Sequence, residues 1–231
     1  MDREAFLTRL REALGREPTD PVSPPPEPPA LRATWDRDAL REQFEDAARV
    51  AGMAVRPVPD EAAARDEVAR IVGSAKLASG GAAGTAPVAL STDAVVQRVV
   101  AGNEWSIVAD AADAKIGVTG AVTAAADVGS VVLSSQAGRR AGLLVEHHVV
   151  LLAAGRIRPT LAEALALARS ESDGAPGDHD GATVRRPATA AVAGPSALTL
   201  ITGPSRSADI ELTLTTGVHG PGEVTVILIG T

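Results

Sequence analysis

Apolar residues recur along the chain with two alternating spacings from residue 36 onward. The stretch 36–51 places Leu40 and Phe44 on one face of a helix, and 60–72 combines strong helix formers with acids in its first turn, where the helix dipole favours them. A third helix, LAEALALARS, begins at residue 161 after a proline and a threonine that serve as a start signal. Short apolar runs typical of buried strands occupy 53–58, 87–90, 105–110, 114–120, 130–135 and 148–154. Strands interleaved with helices predict an α/β layered domain, with a largely parallel central sheet flanked by helices.

The first thirty residues follow a different pattern. Residues 2–16 place Phe6, Leu10 and Leu14 at a spacing of four, which predicts a short amphipathic helix. Seven prolines then fall between residues 18 and 29, and they predict a semi-rigid, extended linker. The predicted organisation is therefore a helical arm at 1–16, a proline-rich linker at 17–30 and an α/β domain at 31–231. The arm either packs on its own domain or docks on another subunit.

The C-terminal third contains two more apolar runs. Residues 171–190 are polar and predict a loop, and the runs at 197–202 and 223–230 predict the last two strands, each covered on both faces. Between these strands lies GPSRSADIE, at 203–211, and its polar residues predict the start of a helix over 207–216. Ligands of open α/β sheets bind beyond the carboxyl ends of strands, so this segment is a candidate site.

Arg206 is the residue in this segment that helix capping does not require. Its planar guanidinium suits a carboxylate or a phosphate, and free N–H groups at a helix N-terminus attract anions. The other interpretation is a structural ion pair between Arg206 and Asp209 or Glu211. The sequence by itself leaves both interpretations open.

Composition excludes several classes of function. A formal net charge of -7 provides no basic field for nucleic acid, and no apolar run reaches the length of a membrane span. The charged N-terminus lacks the apolar core of a signal peptide, so we expect a cytoplasmic protein. Because the chain contains no cysteine, it has no thiolate to hold an iron-sulfur cluster, and we expect no cofactor bound by this chain.

The histidines do not predict a metal site. His147 and His148 are adjacent, so on a strand they point to opposite faces and cannot both bind one metal ion. His219 is either a proton shuttle or a cation bonded to helix carbonyls. Asp127, before the strand at 130–135, is either a general base or a turn acid that accepts bonds from nearby backbone N–H groups.

Several of these segments together resemble one known family. GPSRSADIE followed by GVHGP is similar to the C-terminal signature of the LUD-domain family, and in particular of its lactate-utilisation protein C group. GVTGAVTAAADVGSVVLSS at 117–135 and RRAGLLVEHHVVLLAAGRIRPTLAEAL at 139–165 resemble the family's central segments. The opening FLTRLREALGR is similar to the family's first helix, so the resemblance covers nearly the whole chain. Val128 stands where the family usually has threonine, and Val145 where it has proline.

The resemblance implies a fold similar to the NagB/RpiA/CoA-transferase-like superfamily. It also implies a role in oxidising L-lactate to pyruvate alongside iron-sulfur partner proteins. The molecule bound would then be a small organic acid. The positions that match the family pattern give the candidate residues: catalytic Asp127, Asp209 and His219, and substrate-binding Ser130, Ser205, Arg206 and Glu211, with Gly129 also matching.

Three functions remain to be distinguished. The first is a non-redox subunit of a lactate utilisation system that binds a small carboxylate or the partner proteins. The second is a stand-alone isomerase or transferase acting on a sugar phosphate or CoA ester, with Asp127 or Asp209 as the acid-base group. The third is a domain that senses an organic acid and signals through the N-terminal arm.

Overall fold

The structure, a computed structural model, describes residues 3–15, 36–78, 86–138, 140–172, 197–208, 214–216 and 220–230. Its helices and strands are, in chain order, α1 (Arg3–Leu14), α2 (Arg37–Val50), β1 (Ala54–Val58), α3 (Glu61–Ala78), β2 (Val88–Leu90), α4 (Ala94–Val100), β3 (Ile116–Gly120), β4 (Thr123–Ala125), β5 (Ser130–Ser134), α5 (Arg140–Leu143), β6 (His147–Ala153), β7 (Ile157–Arg158), α6 (Leu161–Ser172), β8 (Leu198–Ile201), β9 (Arg206–Ala208), β10 (Leu214–Thr216) and β11 (Glu223–Ile229).

The centre of the domain is a sheet in which five of the described strands run parallel, in the order β1-β11-β6-β3-β2. Strands β11 and β6 pair along seven residues each, and their continuous apolar runs are buried on both faces. Helices α3 and α4 cover one face, where Val68 and Val96 pack against Ile116 and Leu151. This confirms the predicted α/β class with its parallel central sheet.

The opposite face is covered by α2 and by a second sheet, whose described strands lie in the order β7-β4-β5-β8. Phe44 of α2 is fully buried there and shares a core with Val131, Leu152 and Leu228. The far side of this second sheet packs on α6. The domain is therefore a stack of layers, with α2 held between solvent and the central sheet.

Helix α2 begins and ends at well-defined residues. The carboxylate of Asp36 accepts hydrogen bonds from the N–H groups of Asp38 and Ala39, at 3.0 and 3.3 Å, which satisfies donors that the first turn leaves free. The helix ends at Val50 with Ala51 as its C-cap, and Gly52 follows with a φ of 94°. Because this left-handed conformation suits glycine, the chain can turn directly into β1.

Three predictions about elements were wrong. Residues 105–110 form no strand beyond a single bridge between Ile107 and Val88. Strand β8 lies at the edge of the second sheet with Leu200 exposed, so it is not covered on both faces. In place of a helix over 207–216, β9 pairs antiparallel with β10, because apolar and polar residues alternate with a period of two from residue 210 to 215.

The structure describes most of the arm, none of the linker and only the first residues of the loop. The predicted first helix is present as α1, whereas the linker at 17–30 and most of the loop at 171–190 lie outside the described residues. The division into arm, linker and domain stays a prediction. None of the described helices is both long enough and apolar enough to cross a membrane.

Candidate functional site

The segment 202–206 lies at the amino edge of the central sheet. The N–H of Ser205 donates a 2.7 Å hydrogen bond to the carbonyl of Pro221, which comes just before β11. We predicted that this segment lies at a carboxyl edge, because we assigned β8 to the parallel sheet. Since β8 instead runs antiparallel to β5 in the second sheet, that placement was wrong.

The carboxyl-terminal turn of α2 is the surface on which this segment rests. Gly129 has a φ of 62°, and a Cβ atom there would lie only 2.7 Å from the Cα of Ala48. Gly203 has a φ of 121°, and its missing side chain would overlap the carbonyl of Ala51. These two glycines therefore allow the start of β5 and the end of β8 to approach the same helix end.

That approach brings two hydroxyl groups together. The Oγ of Ser130 lies 2.7 Å from the Oγ1 of Thr202, a hydrogen bond in which either atom can donate. Ser130 is buried, whereas Thr202 is exposed. The pair thus links a predicted site residue to the segment that contains Ser205 and Arg206.

The guanidinium of Arg206 lies over the end of α2. Its Nη2 donates a long hydrogen bond of 3.5 Å to the carbonyl of Ala51, and its Cζ would be 3.3 Å from a Cβ atom on Gly52. A helix carboxyl terminus has partial negative charge, which favours a cation there. The side chain is exposed, and the contact with Ala51 uses one of its five N–H donors. With respect to the described residues, the other donors of Arg206 are available for a bidentate pair of hydrogen bonds to a carboxylate.

Asp127 has a different environment. Its Oδ2 accepts a hydrogen bond of 3.3 Å from the N–H of Leu161 at the start of α6, and its own N–H bonds to the carbonyl of Pro159 at 3.2 Å. These are the contacts of a carboxylate that holds the start of a helix distant in sequence. The structure therefore brings Ser130 and Arg206 towards α2, places Ser205 beside Gly220 and Pro221, and turns Asp127 towards α6.

The remaining predicted residues cannot be placed. Asp209, Glu211 and His219 lie outside the described residues. Their catalytic and binding roles, and the ion pair of Arg206 with Asp209 or Glu211, stay predictions.

A polar cluster that the sequence did not predict lies at the carboxyl edge of the central sheet. The Oδ2 of Asp93 accepts hydrogen bonds from the Oγ of Ser91 at 2.5 Å and from the N–H of Gly120 at 2.9 Å. Burial raises the pKa of Asp93, and the bonds from Ser91 and Gly120 oppose that shift. The available signal was the triplet Ser-Thr-Asp directly after the run at 87–90, which resembles an ordinary helix start.

The adjacent histidines lie on opposite faces of β6, as the sequence predicted. His148 is fully buried, with its Nε2 2.7 Å from the Oγ1 of Thr119 and no hydrogen-bond partner for Nδ1 among the described residues. Burial, with a smaller effect from His147, lowers the pKa of His148 to about 3, so the ring is neutral. Within the described part of the chain, no group of three or more histidine, aspartate or glutamate side chains could hold a metal ion.

Comparison with known proteins identifies relatives of this domain. The model of the family described as LUD domain matches residues 41–229. Lactate utilization protein C of Bacillus velezensis is 34% identical over 121 residues, which cover 52% of this chain and 44% of that protein. Uncharacterized protein YkgG of Escherichia coli is 34% identical over 124 residues, covering 53% of this chain and 47% of that protein. The matched part of the chain thus spans about half the length of these curated relatives.

A solved structure shares the fold. The crystal structure of a DUF162 family protein from Deinococcus radiodurans matches with a TM-score of 0.57 and 20% sequence identity, covering 85% of this chain and all of that chain. At this identity the likeness concerns the fold alone, and it agrees with the layered α/β arrangement described above.

Proposed function

Because the chain belongs to the LUD domain family, we propose that it acts in L-lactate utilisation as a subunit that binds a small carboxylate without transferring electrons itself. Relatives named lactate utilization protein C support the pathway. The absence of cysteine supports a role without electron transfer, because iron-sulfur clusters are usually held by cysteine thiolates and this chain contains no cysteine. Iron-sulfur partner proteins then take up the two electrons released as lactate becomes pyruvate.

The observation that supports a carboxylate site best is the position of Arg206. Its exposed guanidinium lies over Gly52 with hydroxyl groups at Thr202 and Ser205 on the same short segment. A guanidinium pairs with a carboxylate through two parallel N–H···O bonds, and neighbouring hydroxyls suit the α-hydroxyl or α-keto oxygen of lactate or pyruvate. In this role the chain holds and orients the acid while the oxidation takes place with its partners.

The experiment is a thermal unfolding series of the purified chain with L-lactate, pyruvate, acetate and inorganic phosphate. A ligand at a hundred times its dissociation constant stabilises a protein by about 2.7 kcal/mol. For a chain of this size that corresponds to roughly 5–11 °C in the unfolding midpoint. We expect lactate or pyruvate to produce this shift and Arg206→Ala to remove it.

The matched control is Arg98→Ala, which removes another exposed arginine, on α4 and away from α2. We expect this variant to keep the ligand-induced shift. If no small carboxylate shifts the midpoint of the wild-type protein, or if Arg206→Ala keeps the full shift, the carboxylate site at Arg206 is wrong.

A second candidate function depends on Asp93. A partly buried carboxyl with a raised pKa at the carboxyl edge of a parallel sheet suits general acid-base catalysis, as in a stand-alone isomerase or transferase. The test is turnover of sugar phosphates and CoA esters by the purified chain and by Asp93→Asn. Turnover that disappears in Asp93→Asn would favour this enzyme, and its absence in the wild-type protein would argue against it.

A further inference from the structure

A second feature of the amino edge is a groove with a volume of about 720 Å³ on the face covered by α3. Such a volume falls within the usual range for small-molecule sites. The ionisable side chains that line the groove come from five elements or their flanks: Arg56, Arg70, Lys115, Glu146, His147 and Glu223. None of residues 202–206 lines it, so it is distinct from the carboxylate site proposed above.

The cationic side of the groove is formed by two arginines that share one acid. Arg70 donates to both carboxylate oxygens of Glu67, at 2.6 and 2.8 Å, and the Nε of Arg56 lies 3.6 Å from the same carboxylate. Two guanidinium charges against one carboxylate leave a net charge of about +1 at this side. The arginine side chains are 55% and 56% exposed, so their unused donors are accessible to a ligand.

The acidic side lies on the neighbouring strands β11 and β6. Glu223 and Glu146 have side chains that are each 76% exposed. Glu223 pairs with His147, the residue that follows Glu146. The Nζ of Lys115 lies 3.9 Å from the carboxylate of Glu146, so the net charge of about -1 on this side is due to Glu223. The Nδ1 of His147 is 3.5 Å from Glu223, and its Nε2 is 2.9 Å from the Oγ1 of Thr225. Burial lowers the pKa of His147, with Glu223 opposing the shift, so at neutral pH the ring does not neutralise that carboxylate.

The two sides are offset mainly along the strands. Arg56 pairs with Ile227, four residues along β11 from Glu223, which at roughly 3.3 Å per residue is an offset of about 13 Å between their backbones, and the long side chains shorten the gap between the charges. Ala54 and Ala75 provide apolar surface between them. A ligand that matches this arrangement has an anionic group, an apolar body and a cationic group.

We propose that this groove binds a zwitterion of the amino-carboxylate class, with the carboxylate on Arg56 and Arg70 and the ammonium group on Glu223. Free amino acids and short peptides share this chemistry, but in a free α-amino acid both charges are on one carbon atom, whereas a short peptide separates them, so we expect the peptide to be preferred. The proposal does not depend on the lactate-related function, because the two sites have no residue in common.

The test is calorimetric titration of the full chain with four probes: L-leucine, L-leucyl-L-leucine, leucinamide and N-acetyl-leucine. Leucinamide lacks the carboxylate, and N-acetyl-leucine lacks the ammonium group. We expect L-leucyl-L-leucine to bind, and both blocked compounds to bind at least tenfold more weakly. The preferred zwitterion then distinguishes a free amino acid from a peptide as the ligand.

Variants of the groove give the second readout. Glu223→Gln and Arg70→Gln are each expected to weaken zwitterion binding at least tenfold, and Glu223→Gln to leave N-acetyl-leucine unaffected. Arg56→Gln, whose contact with Glu67 is longer, replaces Arg70→Gln if that variant does not fold, and Arg98→Gln is the matched control. The proposal is overturned if neither zwitterion binds at millimolar concentration, if both groove variants bind normally, or if Arg206→Ala abolishes binding.

Discussion

The packing of Gly129 on α2 predicts the consequence of adding one methyl group. In Gly129→Ala the new Cβ would overlap the backbone of Ala47 and Ala48, with the Cα of Ala48 only 2.7 Å away. Real Cβ atoms do not approach backbone this closely, so either α2 or the start of β5 must move. The φ of 62° adds a separate cost, because residues with a Cβ rarely adopt this conformation.

The two costs can be estimated separately. A left-handed conformation costs a residue with a Cβ roughly 1–2 kcal/mol. Overpacking against a rigid neighbour costs typically about 1–3 kcal/mol. Gly129→Ala is therefore expected to lower the free energy of unfolding by about 2–5 kcal/mol, which for a chain of this size lowers the midpoint by roughly 4–20 °C.

Urea denaturation of three alanine variants separates these contributions. Gly102 has a φ of 79° and nothing within 4 Å of its Cβ position, so Gly102→Ala should show the conformational cost alone. Gly73 lies in α3 with open space around it, and Gly73→Ala should raise the unfolding free energy by about 0.5–1 kcal/mol. If Gly129→Ala is no less stable than Gly102→Ala, the contact between Gly129 and α2 does not constrain the fold as we describe.

Two further predictions concern charge. Burial lowers the pKa of His148 to about 3 from its ordinary 6.5, so between these pH values the unfolded chain binds more protons than the folded chain. The free energy of unfolding therefore falls as the pH falls below about 6.5. This residue contributes about 1.4 kcal/mol per pH unit to that decrease. The stability of His148→Gln, measured by urea denaturation at pH 7, 6 and 5, should fall less steeply than that of the wild-type protein, and equal slopes would contradict the assignment. The pair between Arg98 and Glu61, with an N···O distance of 2.7 Å and side chains 58% and 41% exposed, should give a coupling of about 0.2–1 kcal/mol in a double-mutant cycle that weakens in 1 M salt. A coupling that is unchanged by salt would contradict its description as a surface pair.

The sequence was most informative where one physical effect dominates. The runs that became β6 and β11 are continuously apolar because both faces of these strands are buried, and this pattern has few alternative explanations. The second sheet was not predicted because β4 and β7 are three and two residues long, too short for any periodicity. Helix α4 was missed because its valines favour strands, whereas packing against α3 and β3 stabilises it as a helix.

The location of the candidate site depends on which strands pair with each other, and the sequence does not reveal these long-range pairings. The chemistry of Arg206 follows from its residue type, but its location depends on which sheet contains β8. Pairing between β5 and β8 joins residues about 70 positions apart, and no local pattern encodes it. Asp93 was missed for the related reason that its partner Gly120 is on another strand.

Three glycines from distant parts of the chain determine where Arg206 lies. Gly52, Gly129 and Gly203 all have positive φ angles, and each brings a backbone segment or the guanidinium against the end of α2. A side chain at Gly129 would displace β5 and, through Ser130 and Thr202, the segment containing Arg206. We therefore expect Gly129→Ala to weaken both stability and carboxylate binding, whereas Arg206→Ala should weaken binding alone, since its bond to Ala51 is long and exposed. This difference between the two variants distinguishes the residues that form the surface from the one that contacts the ligand.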